Sequence, residues 1–119
     1  MRVTFIETSD FSAVRDAYFG DDENFRSFQN VLAANPYRGP VMRGCGGLRK
    51  ARWPDPRRGK GKRGGLRVIY LHIPELNKIG LVTIYDKNES DDLTPQQRRM
   101  WAGAVEVMRR SLLDIERKP

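Results

Sequence analysis

Residues 46–73 read GGLRKARWPDPRRGKGKRGGLRVIYLHI. Two strand-like runs, 48–53 and 66–73, flank a connection that is dense in Pro, Gly, Arg and Lys. Strand-like runs on either side of turn-forming residues predict the two strands of a hairpin. We call residues 48–73 the basic hairpin and read the rest of the chain outward from it.

The basic hairpin concentrates positive charge. Asp55 is the only acidic residue between positions 48 and 67. Nine residues in the same interval are basic: Arg49, Lys50, Arg52, Arg57, Arg58, Lys60, Lys62, Arg63 and Arg67. Such a density of cations repels itself unless an anion neutralises it. The hairpin therefore predicts a polyanion as its ligand.

Composition sets the class of protein. The chain has 119 residues, of which 39% are hydrophobic, and a formal net charge of +7. This size predicts one domain over residues 1–119 with a modest core. A basic domain is typical of proteins that bind nucleic acid, an acidic protein or an anionic membrane surface. Many soluble proteins are basic without such a role, so it is the clustering of the charge that favours a polyanion.

Several classes of protein are disfavoured. No apolar run approaches the roughly 18 residues that span a bilayer, and the N-terminus has no signal-peptide core. We therefore expect a cytoplasmic protein without a membrane partner. Cys45 is the only cysteine and His72 the only histidine. An internal disulfide is excluded, zinc binding and Cys–His catalysis are disfavoured, and no metal or cofactor is expected. We interpret His72 as a packed or edge residue.

The N-terminal part predicts one strand and two helices. Residues 3–7 suit a strand, and Ser9 or Asp10 can cap a helix that ends at Gly20. Asp21 or Asp22 can cap a second helix, which Asn35-Pro36 terminates. We expect this helical pair to pack on one face of a sheet.

The C-terminal part predicts a buried strand and a long helix. Residues 79–85 are strongly apolar, as expected of a central strand. Thr94 and Gln97 form a capping box around Pro95, and the helix should end near Glu116. Its apolar stripe is assigned to Met100, Ala104, Met108 and Leu112, widened by Trp101, Val105 and Ile115. The order is β-α-α-β-β-β-α, an α+β fold in which a parallel crossover joins the first strand to an antiparallel meander.

Phosphate binding is the chemistry that best suits the hairpin. Residues 59–64 match G-x-G-x-x-G, but strands on both sides exclude the dinucleotide-binding interpretation, which needs a helix start. Arginine offers a planar fork to phosphate oxygens and lysine a mobile charge. We expect residues 57–65 to be disordered without a ligand. The cations anchored on strands, Arg49, Lys50, Arg52 and Arg67, are the better candidates for a functional role.

Such a site could cleave RNA. Attack by a ribose 2′-OH on the adjacent phosphate needs a base, an acid and stabilisation of negative charge, and a cationic patch supplies the last of these. With one histidine, a conventional acid–base ribonuclease is disfavoured. A lysine whose pKa is depressed by neighbouring cations could accept the proton.

Three segments, GGLRKARW (46–53), GKGKRGGLRVIY (59–70) and LVTIYDKNESDDLTPQQ (81–97), resemble the HigB branch of the RelE/ParE toxin superfamily. The resemblance implies a small bacterial toxin of a type II toxin–antitoxin module with a RelE-like fold. It also implies a ribosome-dependent endoribonuclease that cleaves mRNA in the ribosomal A site. The implied partners are the ribosome with mRNA and a cognate antitoxin, expected to be a helix-turn-helix protein.

The resemblance also implies roles for residues. Arg67, in the motif Gly-x-Arg-x-x-Tyr, would lie on the scissile phosphate. Arg49, Lys50 and Arg52 would position the backbone, and strand register decides which of them faces the RNA. Lys87 matches a further basic position of the family. The loop cations Arg57, Arg58, Lys60, Lys62 and Arg63 would dock on ribosomal RNA, and Trp53 would stack on a base or pack within the hairpin.

The general base is left unassigned. RelE toxins carry a C-terminal tyrosine, whereas residues 91–94 of this chain read DDLT. Tyr85 is nearby but is interpreted as structural, so Lys60 and Lys62 are the substitutes. Two other functions stay open: a ParE-like inhibitor of gyrase, and a degenerate relative that only binds RNA or its antitoxin.

Overall fold

The structure is a computed structural model that describes residues 2–58, 65–86 and 94–117. Its elements follow the predicted order, which confirms the α+β fold. They are β1 (Thr4–Glu7), α1 (Ser9–Phe19), α2 (Asp22–Ala34), β2 (Arg49–Trp53), β3 (Leu66–Ile73), β4 (Lys78–Asp86) and α3 (Pro95–Arg117). Short 3₁₀ turns at Pro56–Arg58 and Pro74–Leu76 follow β2 and β3. None of the helices in these ranges combines the length and apolar character of a membrane span.

One mixed sheet carries the strands in the order β1-β4-β3-β2. β2, β3 and β4 pair antiparallel, as the predicted meander requires. β1 pairs parallel with β4, with Thr4 opposite Lys78, so the predicted parallel crossover is confirmed. β4 therefore lies inside the sheet between β1 and β3, which explains its apolar sequence.

The α1–α2 pair covers one face of the sheet. Phe11, Phe19 and Phe28 are almost completely buried against Val68 and Tyr70 of β3. Residues from β2 and β4 complete this core, so the predicted packing of the helical pair on one sheet face is confirmed.

The predicted N-cap is correct for α2 and one or two positions too late for α1. Thr8, rather than Ser9 or Asp10, caps α1, and its Oγ1 accepts a hydrogen bond from the amide of Phe11 at 3.0 Å. Asp21 caps α2 as predicted, accepting from the amide of Asn24 at 2.7 Å. A threonine hydroxyl caps a helix well, so the error is one of position and not of chemistry.

α3 covers the other face of the sheet. Val105 and Leu112 are buried there with Ile69, Leu71 and Ile73 of β3. The capping box is confirmed, because Thr94 and Gln97 exchange hydrogen bonds at 2.9 and 3.1 Å.

The predicted stripe of α3 is wrong at its first two positions. Met100 is 65% exposed and Ala104 is also exposed, whereas Trp101 and Met108 pack against the core. A repeat of every fourth residue drifts about 40° around the helix at each step, since 3.6 residues make one turn. Met100 and Leu112 therefore cannot face the same core.

Candidate nucleic-acid interface

Strand alternation divides the cations of β2 between the two faces of the sheet. Ala51 and Trp53 belong to the core under α1 and α2. Since successive side chains alternate, Lys50 and Arg52 lie on the α3 side and Arg49 on the α1–α2 side. The structure thus shows which of the three β2 cations share a face, which the sequence alone had left open.

Lys50 and Arg52 form a row with Arg67 of β3, which we call the cationic row. Arg52 pairs directly with Arg67, and Lys50 with Ile69. Side chains directly opposite each other on an antiparallel pair have their Cβ atoms about 4.5–5.5 Å apart. On the far side of Arg67 the next residue across the sheet is Tyr85 of β4, which packs against the α3 core. The row gathers positive charge on one face, as an anion-binding surface requires.

Exposure differs sharply along the cationic row. Arg52 is exposed and Lys50 is half-buried, whereas Arg67 is 3% exposed. Arg67 lies on an interior strand, and its Nη1 donates to the carbonyl oxygen of Leu66 at 3.4 Å. In this conformation Arg67 cannot contact a phosphate in solvent. The predicted phosphate contact would require the side chains that cover Arg67 to move.

Arg49 makes a different set of contacts. Its Nη1 donates to the carbonyl oxygens of Gly39 at 2.8 Å and Tyr37 at 3.3 Å. Its guanidinium carbon lies 5.1 Å from the centroid of the Tyr37 ring. The structure thus separates Arg49 from the cationic row with which the sequence grouped it.

Arg57 has a structural position at the root of the hairpin. Its Nη2 is 2.8 Å from an Asp55 carboxylate oxygen and 3.4 Å from one of Asp86, and its guanidinium carbon lies 4.5 Å from the Tyr18 ring centroid. Its hydrogen bonds lower the pKa of the buried Asp55 carboxyl below its ordinary value. Arg57 is therefore paired within the protein, and residues 59–64 of the segment expected to be disordered lie outside the described residues.

Trp53 belongs to the core. Its indole Nε1 donates to Asn24 Oδ1 at 3.1 Å, and its ring meets Phe28 edge-on at 5.3 Å. Of the two roles predicted for Trp53, base stacking and packing, these contacts favour packing. The predictions for Lys60, Lys62, Arg63, Lys87 and the Arg58 side chain lie outside the described residues.

The fold is similar to that of one chain in the crystal structure of the intact E. coli RelBE toxin–antitoxin complex. The TM-score is 0.51 at 13% sequence identity, over 70% of this chain and 94% of that chain. This protein has the RelE-like fold. No protein-family model matches the sequence, so the likeness is one of architecture. The RelE-like fold here puts the cationic row on the sheet face that α3 covers in part.

Nothing in the sequence indicated a role for Tyr37 in this RelE-like fold. Tyr37 lies between α2 and β2 and contacts both Arg49 and His72. A lone tyrosine in a turn-rich connector gives no periodic signal, and its contacts come from strands that lie far along the chain. Tyr37 could be found only from the three-dimensional arrangement.

His72 gives a direct test of this arrangement. Its ring meets Tyr37 edge-on at 4.8 Å between centroids. Burial lowers the pKa of His72 from 6.5, the positive charge of Arg49 lowers this pKa further, and Glu75 opposes the change. The contribution of His72 to folding stability should therefore decrease as the pH falls from above 6.5 through the lowered pKa, because the unfolded chain binds this proton more readily.

We expect an NMR titration of His72 to give a midpoint below 6.5. Arg49→Gln should move the midpoint upward and Glu75→Gln downward, since each removes one of the two opposing charges. Arg26→Gln, on the exposed surface of α2, is the matched control and should leave the midpoint unchanged. A midpoint above 6.5 in the parent protein would contradict the arrangement.

Proposed function

We propose that this protein is the toxin of a type II toxin–antitoxin module and that it cleaves mRNA in the ribosomal A site. The observation that supports the proposal is the register of β2 and β3, which sets Lys50 and Arg52 beside Arg67 on one face. The RelE-like fold and the segments that resemble HigB toxins support the same function.

The reaction suits a cationic site. The ribose O2′ attacks the adjacent phosphorus, the O2′–P bond forms as the P–O5′ bond breaks, and the attacking hydroxyl gives up its proton while O5′ gains one. Negative charge increases on the phosphoryl oxygens in the transition state, and fixed cations stabilise it most strongly. We assign this role to Arg52, the exposed member of the row, with Lys50 as its neighbour in support.

Proton transfer is proposed to come from outside the cationic row. In the described part of the chain the row has no histidine, because His72 shares the Tyr70 face of β3. Lys60 and Lys62 are the proposed proton carriers, and Lys87 a further phosphate contact. Dependence on the ribosome follows naturally if ribosomal RNA has to position these side chains.

The proposed antitoxin, expected to be a helix-turn-helix protein, would neutralise the toxin by covering the cationic row. An acidic or amphipathic helical segment is the partner chemistry that fits such a surface.

A second function is favoured by one observation. Arg67 is 3% exposed, which suits a degenerate relative that binds RNA or an antitoxin without cleaving. Such a protein would keep the exposed Arg52 as a binding residue and would use Arg67 for its fold.

Induced expression in a bacterial host, with mapping of mRNA 5′ ends, tests the proposal. We expect growth arrest and new 5′ ends in phase with codons, and both should disappear in the double variant Lys50→Ala/Arg52→Ala. Arg26→Ala removes one exposed arginine on α2 and should cleave as the parent does. DNA damage with intact mRNA would instead indicate a gyrase inhibitor, and intact mRNA without toxicity the degenerate relative.

A further inference from the structure

Tyr37 is an aromatic side chain held at the surface. It is 57% exposed, and no other aromatic side chain among residues 2–58, 65–86 and 94–117 falls in the exposed class. The apolar aromatic residues of the protein otherwise serve the two cores. A ring with this exposure adds little to either core and is accessible to a ligand.

The backbone beneath Tyr37 is fixed by buried contacts. The hydroxyl of Tyr70, itself fully buried, donates to the carbonyl oxygen of Pro36 at 2.6 Å and accepts from the amide of Gly39 at 3.1 Å. A Cβ atom on Gly39 would lie 2.9 Å from the carbonyl oxygen of Lys50. The two hydrogen bonds join the residues on either side of Tyr37 and Arg38 to one buried hydroxyl, which anchors the backbone that carries Tyr37.

The ring itself is oriented by two side chains. Arg49 binds the carbonyl oxygen of Tyr37 and lies 5.1 Å from its ring centroid. His72 meets the ring edge-on, with an interplanar angle of 82°. A ring held by two neighbours loses little rotational freedom when a ligand binds, which favours affinity.

Positive charge surrounds this ring. Burial raises the pKa of the Tyr70 hydroxyl, and the charges of Arg49 and Arg38 both oppose that rise. Arg38 is exposed. Arg49 donates its hydrogen bonds to Tyr37 and Gly39 through Nη1, and within the described residues its Nε and Nη2 have no hydrogen-bond partner.

We propose that Tyr37, Arg38 and Arg49 form a second RNA-binding site. The Tyr37 ring stacks on an unpaired base, and the two guanidinium groups bind the flanking phosphates. Aromatic rings with adjacent arginines are the usual means of binding single-stranded RNA. This site lies on the α1–α2 side of the sheet, opposite the cationic row, because Arg49 and Lys50 alternate along β2.

A nucleic acid fits this surface better than a protein does. Arg38 and Arg49 make the surface beside the exposed ring positive, in a protein whose formal net charge is +7, and a basic surface with an exposed ring favours a polyanion that has bases to stack. The proposal does not depend on cleavage, because binding at the Tyr37 site can be measured on free RNA.

The experiment measures the affinity of the full-length protein for a short fluorescein-labelled oligouridylate by anisotropy, in the Lys50→Ala/Arg52→Ala background. Tyr37→Ala should weaken binding by about 5- to 100-fold, the usual effect of removing one stacked ring. Tyr37→Phe should bind as the parent does, because stacking needs the ring and not the hydroxyl. Met100→Ala, on exposed α3 surface, is the control and should have no effect.

Salt dependence separates stacking from charge. Arg38→Gln should reduce the slope of log K against log salt by about 0.7, the value for one phosphate contact on a single strand. Tyr37→Ala should leave that slope unchanged, and it should not affect binding of a duplex RNA, whose bases are already stacked.

Three results would overturn the proposal. They are equal affinity in Tyr37→Ala and its parent, an equal loss in Tyr37→Phe, and an equal loss on duplex RNA. If Tyr37→Ala instead weakens only the binding of an antitoxin, the surface binds a protein and the RNA assignment is wrong. If the protein does not cleave mRNA in cells but its RNA binding still depends on Tyr37, the proposed function is wrong. The assignment of the Tyr37 site is then still supported.

Discussion

Replacing Arg52 by alanine should slow the proposed ribosome-dependent mRNA cleavage by about 10²–10³-fold, because Arg52 is proposed to be a fixed stabiliser of transition-state charge. Arg52 is the exposed member of the cationic row and lies directly opposite Arg67. The side chain makes no contribution to either core, so the folded state should tolerate the change. Single-turnover cleavage on programmed ribosomes measures the effect on chemistry apart from binding.

The controls separate charge from fold. Arg26→Ala removes the same charge from the far side of the sheet and should leave the rate unchanged. Arg52→Lys should recover part of the rate, since lysine keeps the charge without the planar fork. Cleavage at the parent rate by Arg52→Ala would remove the cationic row from the mechanism.

Arg67→Ala then distinguishes the two proposed functions. If Arg67 turns outward to bind phosphate on the ribosome, its loss should abolish cleavage at unchanged thermal stability. If Arg67 serves only the fold, where it is 3% exposed, its loss should lower stability and affect cleavage in proportion.

Replacing Gly65 by alanine should destabilise the protein by about 2–5 kcal/mol. Gly65 has φ of +72°, and an added Cβ would lie 2.6 Å from the backbone oxygen of Trp53. A left-handed conformation costs an alanine about 1–2 kcal/mol. Forcing atoms into a packed site adds about 1–3 kcal/mol. Urea unfolding measures the sum.

Gly103→Ala is the matched control with the opposite sign. Gly103 lies in α3, and nothing is within 4 Å of an added Cβ. Alanine in a helix is favoured over glycine by about 1 kcal/mol, so this variant should be more stable than the parent. Equal stability of Gly65→Ala and the parent would mean that β2 and β3 do not meet as described.

The sequence was sufficient for the elements and insufficient for side-chain environments. Apolar periodicity and capping chemistry predicted the strands and the capping box of Thr94 and Gln97, because these signals are local. Alternation along β2 separates Arg49 from Lys50 and Arg52. Which residues of β3 lie beside them depends on strand pairing, which the sequence of β2 alone does not specify. The burial of Arg67 likewise depends on what lies beside an interior strand.

The candidate site shows the same division. Charge density identified Lys50 and Arg52, but it also included Arg57, whose neighbours Asp55 and Asp86 are 31 positions apart in the chain and meet only in the fold. Tyr37 was missed because the groups that orient it, Arg49 and His72, come from other strands.

The parallel pairing of β1 with β4 has a consequence for biosynthesis. Thr8 donates to Val82, 74 positions later, so the first strand has no partner until most of the chain has left the ribosome. Contacts of such long separation are slow to form. The apolar sides of α1 and α2 stay uncovered over the same interval, since β3 and β4 supply their core. A nascent chain therefore acquires its supporting scaffold and its cationic strands together, in one late step of its synthesis.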